Sequence, residues 1–212
     1  MTGFGISAAD AAPNHGWYAS VEAGANWSTA QGTVTGGLPL GGLLALDHQN
    51  IPSHPSVDLD TGWAGFAALG LDIGKYFRVE AELGFRSNDA SAHEQVDQTT
   101  LMLNGLVRLP LLENLSLVAG GGVGADEVSW DDFSVGPPSK SDNQAVFAYQ
   151  GVVALNLDLT DRVGIFAKYR YLDAPGVDMP GLDVDWNSQT TISIHGDDLR
   201  SQIVTIGIQF AL

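Results

Sequence analysis

The chain has 212 residues, with 25 acidic against 9 basic side chains and a net charge of −16, which argues against a nucleic-acid partner because phosphate binding needs a basic surface. It has no cysteine, so disulfides, zinc–thiolate centres and thiol catalysis are excluded. With 26 glycines, 44% apolar and only 16% charged residues, it is too apolar to be disordered and too poor in charge for an ordinary soluble surface.

In residues 1–14, Ser7-Ala8-Ala9 and Asp10-Ala11-Ala12 resemble the small-residue end of a secretory signal, without a positive start or a long apolar run. This stretch reads as a signal-peptide remnant or a flexible arm, and 15–212 as one domain. Residues 23–46 lack charge but are broken by Gly, Ser, Thr, Gln and Pro, so no membrane-spanning helix is expected.

From Trp17 onward the pattern is period-two alternation, the signature of strands. The first segment sets Trp17, Ala19, Val21, Ala23, Ala25 and Trp27 against Tyr18, Ser20, Glu22, Gly24, Asn26 and Ser28. The second aligns Trp63, Ala67, Leu69, Leu71 and Ile73; the third alternates Phe77, Val79, Ala81, Leu83 and Phe85 with Arg78, Glu80, Glu82, Gly84 and Arg86. The fourth carries Leu101, Leu103, Val107 and Leu109, and the fifth Leu117, Ala119 and Val123 opposite Ser116, Gly120, Gly122 and Gly124. The sixth has Phe147, Tyr149, Val153, Leu155 and Leu157 opposite Gln150 and Asn156, with Gln150 expected to tolerate truncation. The seventh sets Val163, Ile165, Ala167, Tyr169 and Tyr171 against Lys168 and Arg170, and the eighth ends on Val204, Ile206, Ile208 and Phe210.

Short connections near 74–76, 110–114 and 160–161 alternate with long ones over about 29–60, 87–98, 127–143 and 173–198. An even number of antiparallel strands with short turns at one end and long loops at the other predicts an all-β, eight-stranded, up-and-down transmembrane β-barrel. The segments are long enough to cross a bilayer at a tilt. The apolar face carries no charge within the predicted spans. It ends in an aromatic girdle of Trp17, Trp27, Trp63, Phe77, Phe85, Phe147, Tyr149, Tyr169, Tyr171 and Phe210. The other face is rich in Gly, Ala and Ser, as a narrow lumen requires.

The stretches RVEAELGFR (78–86), VAGGGVG (118–124) and FAYQGVVALNLDLTDRVGIFAKYRY (147–171) resemble the opacity-type proteins of the outer membrane protein A superfamily. The resemblance implies an eight-stranded barrel in the outer membrane of a Gram-negative bacterium, with both termini periplasmic and with lipids and lipopolysaccharide around it. The chain departs from the family in ending Phe210-Ala211-Leu212 rather than on an aromatic residue, and it stops with the eighth strand, so no peptidoglycan-binding domain is expected.

The inward faces hold Glu22, Asp72, Glu80, Glu82 and Asp158 against Arg78, Arg86, Arg108, Lys168 and Arg170, which predicts a neutral lumen plugged by ion pairs. Counting along the outward-running strands puts Glu22, Glu82 and Lys168 at one depth with Arg170 slightly above. Arg78, Glu80 and Arg108 belong near the short turns. Seventeen of the other acids, among them Asp97, Asp126, Glu127 and Asp173, are assigned to the long loops, offset there only by Lys140 and Arg200.

No catalytic residues are expected. His48, His54, His93 and His195 fall in the long loops and His15 precedes the first strand, so no His adjoins a Ser and an acid at matching height. A loop site of Asp183, Asp185, Asp197, Asp198 and His195, and a second loop with His48, His54, Asp58 and Asp60, are candidates for calcium or magnesium, with zinc open to the histidines. No other cofactor is expected. The apolar stretch GGLPLGGLLAL (36–46) is a candidate rim contact or partner patch. The reading is a monomeric structural or surface-interaction barrel whose loops face a cell-surface partner. A narrow channel and a loop-based cation binder are the alternatives.

Overall fold

The computed structural model describes residues 16–35, 56–58, 61–89, 95–131, 144–176 and 193–212. Among the described residues nine strands form one antiparallel sheet: β1 (Trp17–Thr35), β2 (Ser56–Asp58), β3 (Gly62–Ile73), β4 (Phe77–Asp89), β5 (Gln95–Pro110), β6 (Leu115–Asp131), β7 (Gln144–Asp158), β8 (Val163–Pro175) and β9 (Ser193–Ala211). Neighbours follow chain order, and β1 pairs with β9, so the eight long strands close into a barrel. The three-residue β2 flanks only the outer end of β1, where Thr29 faces Asp58.

The register fixes the barrel's shape. Directly opposed residues run from Trp17 through Leu71, Val79, Gly105, Gly121, Gly151, Tyr171 and Gln202 and return to β1 at Trp27, ten residues above the start. With a rise of about 3.3 Å per residue and strands about 4.8 Å apart, that stagger gives a tilt of about 40° and a backbone radius of about 8 Å. Such a cylinder is filled by its own side chains.

The alternation read from the sequence is the alternation of inside and outside. Leu83, Leu101, Leu103, Val153 and Ile206 are exposed on the outer face, while Glu82, Met102, Asn104, Val152 and Thr205 are buried within. The inner wall is not uniformly polar: Met102, Val128, Val146, Ala148, Leu172, Ala174 and Leu199 form an apolar cluster along β5–β9.

The short turns lie where expected. Gly74 takes φ +68° in the β3–β4 turn, a left-handed conformation suited to glycine. In the β7–β8 turn the Thr160 hydroxyl accepts from the Arg162 and Val163 amides at 3.3 and 3.0 Å. The carboxyl-terminal end is tied in, with the Leu212 amide donating to the Trp17 carbonyl at 2.8 Å.

The long-loop boundaries need correction. The ladder continues through Thr29–Thr35, to Asp89, from Gln95, through Asp131, to Pro175 and from Ser193. Above the lipid belt the strands keep pairing while their outer faces turn polar, so the hydropathy pattern fades before the hydrogen bonds do. Asp58, Asp89, Asp97, Asp126, Glu127, Asp131, Asp173, Asp197 and Asp198 therefore stand in strands, not loops. Residues 1–15 and the apolar segment 36–46 lie outside the described residues.

Candidate functional site: a lumen crossed by ion pairs

The inward charges form three tiers. The middle tier is built from β1, β4 and β8. Arg170 reaches Glu22 at 2.7 Å and Glu82 at 2.6 Å, and Lys168 reaches the same two carboxylates at 3.1 and 3.7 Å. All four side chains are almost wholly buried. Strands β4 and β8 are four places apart in an eight-stranded ring, so the Arg170–Glu82 contact crosses the full bore. Thr205 donates to Glu22 at 2.7 Å, Gln150 donates to Glu82 at 3.0 Å and to Asn104 at 2.7 Å, and the Arg170 guanidinium lies 3.6 Å from the Phe66 ring centroid. The carboxylates thus meet two cations and neutral donors, the condition under which buried charge is tolerated. Gln150, expected to be a tolerant position, bridges two members of this network.

The lower tier lies near the short turns. Arg78 binds Asp72 at 2.8 Å and Gln209 at 3.0 Å, with its guanidinium over the Tyr18 ring; Tyr18 donates to Glu80. Arg108 is held apart from them, pairing with Asp158 at 2.6 Å and Ser116 at 3.1 Å.

In the upper tier Arg86 binds Asp126 at 2.6 Å and Ser201 at 2.8 Å, all three completely buried. Asp126, assigned to a loop by sequence, is a lumen residue, so among the described residues the interior carries Glu22, Asp72, Glu80, Glu82, Asp126 and Asp158 against five bases. It is one charge short of the neutrality expected. The signal was available: Gly120, Gly122 and Gly124 point inward, and the same parity reaches Asp126.

Outside, every residue of the expected girdle is exposed, Tyr171 the least of them at 36%. The register places Trp17, Phe77 and Phe210 at one level and Trp27, Trp63, Phe85, Phe147, Tyr149 and Tyr171 about 20–25 Å above them, close to the height of a lipid-facing band. Tyr169 sits lower, its hydroxyl donating upward to Gln202 at 3.2 Å. By the same geometry the middle tier lies near half height, about 11–16 Å above Trp17. Outward charges on the described strands begin only at the upper girdle, with Asp173 taking a hydrogen bond from Tyr149 at 3.0 Å and facing Arg200 at 3.4 Å.

Of the candidate cation residues, Asp183 and Asp185 lie outside the described residues, as do His15, His48, His54 and His93. His195, Asp197 and Asp198 belong to β9 rather than to a loop, with Asp197 at a bulge and Asp198 paired to Arg200 at 3.2 Å. Among the described residues no group of three or more acids and histidines is arranged to hold a metal ion.

A closed barrel with an apolar, aromatic-edged exterior and a charged interior defines a transmembrane β-barrel. The sequence matches the outer membrane protein beta-barrel domain over residues 1–210. The chain belongs to that family, and its place is the outer membrane. No curated protein matches it. Among solved structures it is similar to Neisserial surface protein A, at 11% identity and a TM-score of 0.58, covering 92% of this chain and 97% of that one. It is also similar to OprG from Pseudomonas aeruginosa (11%, TM-score 0.47, 93% and 97%) and to the outer membrane protease OmpT from Escherichia coli (10%, TM-score 0.46, 95% and 98%). At these identities the likeness is one of fold.

Proposed function

We propose that the protein is a plugged outer-membrane barrel with a structural or surface-interaction role, acting through its outer rim rather than through its bore. The observation that carries this reading is the middle tier, where Arg170 on one wall reaches Glu82 on the facing wall, and Glu22 on the strand between them, at the centre of the lipid belt. A solute would have to displace two cations from two buried carboxylates in a cylinder of about 8 Å backbone radius. In this reading the short turns and both termini face the periplasm, the protein is a monomer, and the long connections meet lipopolysaccharide and a cell-surface partner. No residue is assigned a catalytic role.

The acids above the upper girdle support a second element of the proposal. Asp97 and Glu127 stand on the outer faces of β5 and β6 as diagonal neighbours, since Asp97 opposes Ser129 and Thr99 opposes Glu127. Their charge meets an anionic outer leaflet, so calcium or magnesium bridges the two. Asp183 and Asp185 join them as candidate ligands.

Planar-bilayer recording of the refolded protein tests the central claim. The expected trace is silent or shows only rare, small openings. A large, steady conductance of the unaltered protein would replace this reading with a channel.

A further inference from the structure

We propose that the lipid-facing wall carries a fitted site for one zwitterionic aminophospholipid, its acyl chain in a groove across β7, β8, β9 and β1 and its headgroup at the turns below. The inference rests on the orientation proposed above, which sets these turns in the phospholipid leaflet.

The groove follows from the register. Leu155, Ala167, Ile206 and Ala23 stand side by side on the outer faces of the four strands. The row beneath carries Leu157, Ile165 and Ile208, and the row above carries Tyr169 and Val204. Two alanines among larger side chains leave a concavity of about 700 Å³ that reaches down to Leu115. Small-molecule sites occupy about 300–1,000 Å³.

Depth and chemistry select an acyl chain. From the tilt and stagger of the sheet, the lining spans heights from about 3 Å below Trp17 to about 15 Å above it, the half of the lipid belt next to the short turns. The outward side chains that line it are all aliphatic. A polar or charged solute would therefore lose its water there without finding a partner.

The turns select the headgroup. The Asp158 amide donates to the Asn114 carbonyl at 2.8 Å, which fastens the β5–β6 turn to the lower end of β7 beneath the groove. The β5–β6 and β7–β8 turns expose Glu113, Asp161 and Arg162. The ion pairs at this end of the barrel join Arg78 to Asp72 and Arg108 to Asp158, and use none of the three. One base with two acids complements a headgroup that carries a phosphate and a primary ammonium. Arg162 takes the phosphate through its guanidinium fork, and the carboxylates accept from the ammonium. An anionic phospholipid offers the phosphate alone and meets two carboxylates for one guanidinium.

The test is native mass spectrometry of the full refolded chain in detergent, titrated with dioleoylphosphatidylethanolamine or with dioleoylphosphatidylglycerol. One phosphatidylethanolamine should be retained per barrel, in preference to phosphatidylglycerol. Ala167→Phe and, separately, Ala23→Leu fill the groove from outward positions, and each should abolish that retention. Ala81→Phe, on the outer face of β4 and away from the groove, should not. Arg162→Gln should weaken retention about tenfold, the value of one charge-assisted hydrogen bond. Glu113→Lys with Asp161→Lys should turn the preference toward phosphatidylglycerol. Equal retention of the two lipids by the unaltered protein, or undiminished retention in a folded groove variant, overturns the inference. A dimer that Ala167→Phe dissolves would give the groove to a second copy of the chain and overturn it as well. Binding is read in detergent, where neither end of the barrel is assigned to a compartment, so failure here leaves the proposed orientation and the plugged bore standing.

Discussion

Arg170 on β8 and Glu82 on β4 rise from strands on opposite sides of the barrel, yet their side chains meet at 2.6 Å. The bond is a strut across the bore. Arg170 also holds Glu22 at 2.7 Å, so one guanidinium ties three strands that share no backbone ladder except through their neighbours. Barrel closure by β1–β9 pairing and closure of the bore by Arg170 are thus separate structural acts.

Removing one member of this network exposes the imbalance. Glu82→Ala leaves Arg170 and Lys168 sharing Glu22 alone and removes one of the two hydrogen bonds that the Gln150 amide donates. Loss of one partner from a buried pair typically costs about 3–5 kcal/mol. Urea unfolding of the refolded barrel in vesicles should register a loss of that order. The double variant Glu82→Ala with Lys168→Ala should open measurable conductance. A double variant as silent as the parent would mean that other side chains fill the bore.

The outer face makes the opposite demand. Leu83 and Val153 are 53% and 47% exposed on outward positions near the middle of the belt. Arginine at either site should cost about 2–4 kcal/mol, as expected for a cation at the bilayer midplane. Leu83→Ala, which stays apolar, should be far milder. Comparing the folded fractions of the three variants after insertion checks this. Equal tolerance of Arg and Ala would mean that the face meets water.

The barrel was legible in the sequence because each strand inside the lipid belt obeys two constraints at once, apolar outward and small or paired inward. Glu22, Glu82, Lys168 and Arg170 could be matched in depth by counting residues from the short turns, and they meet as that count expects. Asp126 was hidden because its neighbours Ala125 and Glu127 face outward near the upper girdle, where an apolar face no longer marks the strand. The partners Thr205, Ser201 and Gln209 were out of reach for a different reason. Which strand lies across the bore depends on the stagger of the closed sheet, and that stagger is a property of the ladder rather than of any one segment.

The acidic rim leads to a test of ion dependence. Asp97 and Glu127 on the outer faces of β5 and β6, together with Asp183 and Asp185, are expected to coordinate calcium or magnesium against an anionic leaflet. Simple screening acts on any exposed charge within about a Debye length and depends only on ionic strength. Thermal melts in lipopolysaccharide-containing bilayers should therefore rise with divalent salt well below the sodium concentration that has the same effect. The difference should shrink when Asp183 and Asp185 are both changed to Asn. Equal stabilisation by calcium and sodium at matched ionic strength would assign the acids to a solvated surface.

The glycines give the sharpest contrast between inside and outside. Large inward side chains lie over glycines directly opposite on the next strand: Tyr18 over Gly70, Phe66 over Gly84 and Phe166 over Gly207. A Cβ at Gly84 would come within 2.4 Å of the Phe66 ring, and one at Gly207 within 2.4 Å of Phe166. On the outer face, a methyl group added at Gly105 or Gly151 would meet nothing within 4 Å. Gly84→Ala and Gly207→Ala should therefore destabilise by about 1–3 kcal/mol through overpacking. Gly105→Ala and Gly151→Ala should be neutral or gain about 0.4–1 kcal/mol, since alanine restricts the unfolded chain without strain in the folded one. Phe66 also carries the Arg170 guanidinium on its face at 3.6 Å, so displacing its ring disturbs the ion tier as well. Gly84→Ala should accordingly raise conductance along with its loss of stability, whereas Gly207→Ala, whose ring partner Phe166 lies 5.0 Å from Lys168, should do so less. Urea midpoints and bilayer traces on the four variants decide the matter, and equal midpoints across all four would show that the inward rings are free to move aside.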